Sequence, residues 1–301
     1  MTALGAAAAA AYVLSTSKPS TRAYIREVGW HRPDLWLHGM FYLARMKEYV
    51  RLGRFAGGFG PAIPGWMKRR YADTYHGKLV PLEQARMLVS VDEDIEVRNL
   101  ENVVPYQACR DIVLGCPEEI IACRCVCRMT SDAHCQPDEV CLLIGEPVVS
   151  FVLDHNPDSA RRITRDEALQ ILEITDRQGC IHAAFFKDVV GGRFYAICNC
   201  CSCCCVALKS HRFVGVPFFG HSGLMPEFLD TCDACGRCAK SCPFEALQPR
   251  RESAPAVDLE ACMGCGVCRA VCPSSAVRMV RAPGRPEPLD LEELRRPGRR
   301  S

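Results

Sequence analysis

The stretch Cys232-Asp233-Ala234-Cys235-Gly236-Arg237-Cys238-Ala239-Lys240-Ser241-Cys242-Pro243 is repeated as Cys262-Met263-Gly264-Cys265-Gly266-Val267-Cys268-Arg269-Ala270-Val271-Cys272-Pro273. Every cysteine of the first run recurs at the same offset. So do Gly236 as Gly266, Pro243 as Pro273 and Ala246 as Ala276. Such self-similarity marks an internal structural repeat. Three thiolates three residues apart lie on a tight loop and can each reach a different metal atom of one polynuclear centre; the fourth must come from elsewhere. Glycine after each second cysteine suits a backbone that turns close to that centre. Proline after each fourth cysteine fixes the exit of the chain. The competing reading is a pair of zinc sites built from CxxC pairs, but zinc has no need of the third and fourth cysteines at this offset in both copies.

The spacing resembles that of a bacterial two-cluster ferredoxin, in which the fourth cysteine of each run ligates the other cluster. The resemblance implies two [4Fe-4S] clusters. One is held by Cys232, Cys235, Cys238 and Cys272, the other by Cys262, Cys265, Cys268 and Cys242. It also implies a small pseudo-twofold βαβ-repeat domain over 223–281.

The whole chain has 301 residues, 49% of them hydrophobic and 24% charged, which is the composition of a folded globular protein. A net charge of +2 gives no bulk attraction to acidic partners. The run Lys68-Arg69-Arg70 is too short for nucleic-acid binding and reads as a solvated patch. The 22 cysteines would mean disulfides in a short secreted chain. Here no basic residue precedes the apolar stretch Ala3 to Leu14, which reads as the start of an Ala-rich helix. At about twelve residues it is too short to span a bilayer. The cysteines are therefore expected as metal ligands in a reducing cytoplasm.

Along the chain, a helical region is expected over 1–78. Asp34 reads as an N-cap, and Trp36, Met40, Leu43 and Val50 predict one helix from Leu35 to Arg54, stopped by Gly57 and Gly58. An ordinary surface helix is the first reading; a basic amphipathic helix docking on a membrane surface or a partner subunit is the second. Gly57 to Gly65 reads as a linker. A cysteine-rich α/β unit is expected over 79–222. It has a helix over Pro105 to Leu114 and a strand from Glu119 to Cys125, whose alternation would place Cys123, Cys125 and Cys127 on one face. Thr164-Arg165-Asp166-Glu167 is a capping box opening a helix to about Arg177. Ile181 to Phe186 and Phe194 to Ile197 predict a hairpin over Gly191-Gly192. Residues 282–301 read as a loose basic tail with one acidic helical turn.

The second strand of that hairpin runs into Cys198-Asn199-Cys200-Cys201-Ser202-Cys203-Cys204-Cys205, with overlapping CxxC pairs at 198/201, 200/203 and 201/204. Upstream lie Cys123, Cys125, Cys127, Cys135 and Cys141. Together with Arg128, Pro137 and Asn199, this order resembles a family of uncharacterised bacterial 4Fe-4S proteins over roughly Pro105 to Val280. The resemblance implies electron-transfer chemistry and supplies no substrate. The upstream cysteines are read as ligands of one or two additional Fe–S clusters, with zinc and inert reduced thiols as the alternatives. The set selected is Cys125, Cys127, Cys135 and Cys141 with Cys200 and Cys203. Arg124 and Arg128 would offset thiolate charge. Cys109, Cys116 and Cys180 stand alone and read as core residues.

The histidines form no ligand pair, and no P-loop, complete GxGxxG or nucleophile–base pair is present. The fold expected is α+β, comprising a helical N-terminal region, a cysteine-rich α/β middle and a C-terminal dicluster ferredoxin domain. The function expected is an electron-wiring subunit or partner of a larger oxidoreductase. An enzyme with a substrate site at Cys198 to Cys205 and a redox or metal sensor are the alternatives. A substrate-sized pocket ending at that octet would favour the enzyme.

Overall fold

The computed structural model describes residues 17–289 apart from 59, 91–94, 99–110 and 115–118, with the backbone alone at 61, 95–98 and 111–114. Helices and strands are mixed, in an α+β arrangement. The chain opens with α1 (Pro19–Val28), α2 (Pro33–Ala44), α3 (Met46–Gly57) and α4 (Gly65–Thr74). It then runs through β1 (Tyr75–Leu79), α5 (Leu82–Val89), β2 (Ile95–Arg98), β3 (Asp111–Leu114), β4 (Ile120–Arg124) and α6 (Val126–Met129). β5 (Glu139–Ile144), α7 (Val148–His155), β6 (Ala160–Arg162), α8 (Arg165–Arg177), β7 (Ile181–Lys187) and β8 (Phe194–Cys200) follow. After α9 (Val206–Lys209) and β9 (Phe219–Gly220) come β10 (Leu224–Phe228), α10 (Arg237–Ser241), β11 (Leu247–Arg250), β12 (Ser253–Val257), α11 (Val267–Ala270) and β13 (Val277–Arg281).

The centre is a seven-stranded sheet in the order β6-β4-β5-β8-β7-β1-β9, antiparallel except where β1 meets β9. One face is covered by α5 and α8, whose Leu82, Ala85, Leu88, Ala168 and Leu172 pack on Ile120, Leu142, Ala184, Phe186 and Ile197. The other face carries Ile121, Cys123, Leu143, Ala183, Phe185 and Cys200, and is covered by α1, α2 and α7. Alternation along each strand assigns residues to these faces. Because β1 pairs with β7 and β9, the boundary expected at 78/79 falls inside a strand of the main sheet.

The helix expected from Leu35 to Arg54 is two helices, broken at Arg45 with φ −124° and ψ 46°. Pro33 occupies the first turn of α2, and Asp34 lies inside that turn, paired with Arg32 at 2.7 Å, so it is not the N-cap. The break lets α2 bury Trp36, Gly39 and Leu43 while α3 turns away; α3 buries no residue fully. Gly39 permits the close approach. A Cβ there would stand 1.7 Å from Tyr24 Oη, which donates to the Val189 carbonyl at 2.5 Å. The expected linker at 57–65 contains a short 3₁₀ turn at Gly60–Ala62 before α4.

Thr164 caps α8, its Oγ1 accepting from the Glu167 amide at 3.2 Å. The β7–β8 hairpin turns through a 3₁₀ turn and Gly191 and Gly192, both at φ +74°. Asp111 to Leu114 is a strand paired with Ile95 to Arg98, not the end of a helix, and 105–110 lie outside the described residues. The strand expected to carry Cys125 ends at Arg124, and Cys125 is the N-cap of α6. The expected Ala-rich helix at Ala3 to Leu14, Cys109, Cys116 and the tail beyond 289 also lie outside the described residues. Residues 282–289 are not loose: Leu289 is buried in the core, and Lys78 Nζ donates to the Glu287 carbonyl at 3.0 Å. No helix among the described residues is long and apolar enough to cross a membrane.

Candidate metal centres

The repeated runs fold into two matching halves. Gly236 and Gly266 begin α10 and α11 in the left-handed region, at φ 72° and 83°. Ala234 and Gly264 (φ 53° and 65°) and Glu245 and Ser275 (φ 56° and 52°) repeat the same turn conformations. The Ala246 amide donates to Cys242 Sγ at 3.4 Å, and the Ala276 amide to Cys272 Sγ at 3.3 Å. Each half leaves a small cavity of ≈ 20 Å³. Cys232, Cys235, Cys238 and Cys272 line one. Cys242, Cys262, Cys265 and Cys268 line the other. Each cavity therefore receives three cysteines of one run and the last cysteine of the other. Burial pushes the thiols of Cys265 and Cys268 up, the latter to about 12. Apolar hollows lined by four convergent thiols fit polynuclear iron–sulfur groups of the tetrathiolate kind.

The two halves differ in surroundings. Cys235 is exposed, whereas Cys265, Met263, Val267 and Val271 pack against the core of the large sheet. There α11 meets the end of α8: Gly179, at φ +74°, faces Val271 and Val267 at 3.4 and 3.7 Å from where a Cβ would be.

On the sheet itself, Cys123, Cys141 and Cys198 stand in one row across β4, β5 and β8. From this row a closed ring of six thiols is built. Cys141 touches Cys125 and Cys198. Cys200 touches Cys198 and Cys205, and Cys127 touches Cys205 and Cys125. Contacts with Cys141 and Cys200 hold the Cys198 thiol down at about 5. Contacts with Cys127 and Cys200 hold Cys205 at about 6. Their neighbours Cys141 and Cys200 are pushed up as the donors of those bonds. The neighbouring thiols thus favour the thiolate form at Cys198 and Cys205, and six sulfurs in one ring are a donor set suited to a soft metal centre.

The remaining upstream cysteines form a second group. The Sγ atoms of Cys135, Cys201, Cys203 and Cys204 all lie within 4.8 Å of one another. Cys135 and Cys203 are 2.8 Å apart, and Cys203 and Cys204 are 3.6 Å apart. The six cysteines selected as ligands of one or two further clusters, Cys125, Cys127, Cys135, Cys141, Cys200 and Cys203, therefore fall in two places. Cys125, Cys127, Cys141 and Cys200 belong to the ring, while Cys135 and Cys203 belong to the quartet. The reason is local: β8 ends at Cys200, so Cys201 to Cys204 turn away from the sheet face. Cys198 and Cys205 of the ring, and Cys201 and Cys204 of the quartet, were not selected from the sequence. Three overlapping CxxC registers gave no means of choosing among them.

Arginines bind both groups together. Arg54 of α3 donates through Nη2 to the carbonyls of Cys127 and Cys204, at 2.9 and 3.0 Å. Arg128, 2% exposed, donates to the Pro137 carbonyl, to Cys180 Sγ at 3.3 Å and to the Asn199 carbonyl at 3.4 Å. Arg124 instead lies outside, paired with Asp138 at 2.8 Å. On the opposite face of the sheet, Asn199 Oδ1 lies 2.6 Å from His182 Nδ1. His182 Nε2 is 3.5 Å from Asp176, and Asp176 is 3.6 Å from Arg269 of α11. A polar chain, buried from Asp176 inward, thus runs from the second ferredoxin-type half to the residue between Cys198 and Cys200.

Beside the ring, a chamber of ≈ 170 Å³ opens under the N-terminal helices, lined by ring thiols and by Tyr42, Tyr49, Tyr71, Tyr75 and Tyr195. Tyr42 and Tyr195 share a hydrogen bond of 2.6 Å. Lys187 Nζ lies 5.0 and 4.9 Å from the Tyr42 and Tyr75 ring centres, and burial lowers it to about 8. Burial likewise pushes the Tyr75 and Tyr195 hydroxyls well up. All twenty described cysteines are free.

Residues 231–276 match the family model of the 4Fe-4S dicluster domain. No curated protein and no solved structure matches the chain. The chain contains a ferredoxin-type iron–sulfur domain, which makes it an iron–sulfur-binding protein suited to electron transfer.

Proposed function

We propose that this chain is the electron-wiring subunit or partner of a larger oxidoreductase, working in a reducing cytoplasm. In this reading a helical region and a cysteine-rich α/β middle precede a two-cluster ferredoxin domain. One [4Fe-4S] cluster is held by Cys232, Cys235, Cys238 and Cys272, and a second by Cys262, Cys265, Cys268 and Cys242. The thiol ring of Cys125, Cys127, Cys141, Cys198, Cys200 and Cys205 holds a further Fe–S centre. A cubane ligated by four thiolates takes up and releases single electrons and leaves no iron open to substrate.

The observation that carries this reading is the gradient of exposure. The first cysteine quartet is reached from solvent at Cys235. The second abuts the core through Cys265, and α11 sits on the helix beneath the thiol ring. Such a series suits electrons entering from a docked partner at the exposed end and moving inward. The protein's own part is to hold the thiols in place, exclude water and supply the charges of Arg54, Arg128 and Arg269.

The tyrosine-lined chamber favours a second reading, in which the ring centre reduces a small molecule and the hydroxyls supply protons. The test is iron and acid-labile sulfide per chain in anaerobically purified protein, with EPR of the reduced form. About twelve irons are expected if the ring holds one cubane-sized centre; about eight would leave it without one. Saturable perturbation of the ring signal by an added small ligand, with the ferredoxin signals untouched, would replace wiring by catalysis.

A further inference from the structure

The quartet of Cys135, Cys201, Cys203 and Cys204 is more compact than the other cysteine groups among the described residues. We propose that it binds a single tetrahedral zinc ion. The argument is one of size. Zinc–sulfur bonds of about 2.3 Å place the four sulfurs of a tetrahedral site roughly 3.8 Å apart. The four Sγ atoms here lie within 4.8 Å of one another, with individual separations of 2.8 and 3.6 Å. A cubane inserts an iron cube between its thiolates and spreads them to about 6 Å. Among the described residues, no three cysteines of the ring or of either ferredoxin-type quartet meet the same mutual limit. The quartet is therefore closed to a cubane without rearrangement of the 201–204 turn, and it is already near the dimensions of a mononuclear site.

Its setting agrees. Four thiolates around a divalent ion carry a net charge of −2. The Arg128 guanidinium is buried, and its described partners are carbonyls and the Cys180 thiol, with no carboxylate among them. Arg54 clasps the carbonyl of Cys204 itself. On loading, each thiol gives up one proton to solvent, and zinc takes no part in electron transfer. Its work is to pin the Cys135 loop to the end of β8, which fixes the turn delivering Cys205 to the ring. This assignment is independent of what the ring holds.

The test measures zinc and iron together in the intact, anaerobically purified chain. About one zinc per chain is expected in the wild type. Cys203→Ser removes the exposed ligand, where folding is least at stake, and should lower zinc occupancy by tenfold or more under competition with a chelator, with iron and sulfide unchanged. Cys203→His, which offers an imidazole, should retain the zinc. Cobalt substitution should give the absorption of a tetrahedral tetrathiolate in the wild type. Three results overturn the proposal: a wild type without zinc, a loss of about four irons in Cys203→Ser, or an intact mass showing Cys135 and Cys203 joined as a disulfide.

Discussion

Replacing Cys242 by Ala separates the crossed ligand sets from uncrossed ones. Cys242 follows Cys238 in its own run, yet it lines the cavity of Cys262, Cys265 and Cys268. Its Sγ is half-buried and accepts one long amide hydrogen bond, from Ala246 at 3.4 Å. Losing that bond and a small apolar atom costs about 1 kcal/mol, a melting shift of only a few degrees in a chain of this size. The fold should therefore survive while one cluster does not. If three clusters are present, iron and sulfide should each fall by about a third, from roughly twelve to eight per chain. EPR of the reduced protein then identifies which cluster is gone, with Cys268→Ala and Cys238→Ala as standards. The Cys242→Ala spectrum should coincide with that of Cys268→Ala. Coincidence with Cys238→Ala would refute the crossed assignment and the pairing of cavities on which it rests.

Asp176→Asn removes a carboxylate 3.5 Å from His182 and 3.6 Å from Arg269. Because Arg269 is partly exposed and keeps Glu83 at 2.7 Å, the loss should be about 1–3 kcal/mol by denaturant unfolding of the loaded protein; an unchanged midpoint would mean the polar chain does not join α11 to the sheet. Gly39→Ala drives a methyl group into Tyr24 Oη and breaks its bond to Val189, which should cost about 2–4 kcal/mol, and a stability equal to wild type would show that α2 does not seat on the β7–β8 turn as described.

The parts legible in the sequence are those where a local rule decides. The repeat of Cys232 to Pro273 needs no knowledge of distant contacts. Gly236 and Gly266 announce the left-handed turns that open α10 and α11. Thr164 and Glu167 form their cap within four residues. The upstream sites resisted because their ligands are sorted by tertiary register. Cys141 meets Cys198 only because β5 pairs with β8, and nothing in either strand's sequence names its neighbour. Once that pairing exists, alternation sends Cys198 and Cys200 to one face and Asn199 to the other. The break at Arg45 was equally silent, since neither proline nor glycine marks it.

That break also changes what the N-terminal helices are for. A helix with no fully buried residue, such as α3, looks like a docking surface when considered alone. Yet its Arg54 holds the Cys127 and Cys204 loops, and Tyr49, Val50 and Gly53 wall the chamber beside the thiol ring. A buried guanidinium is costly unless an anion answers it. Arg128 is answered by no carboxylate among its described partners, only by carbonyls and a thiol. In the proposed reading, thiolates gathered on metal would supply the missing negative charge, and the loaded centres would belong to the electrostatic balance of the interior. Metal loading and the seating of α3 would then be coupled: the anionic sites draw on half-buried Arg54 of α3 as well as on Arg128, whose full burial is tolerable only when the sites are filled.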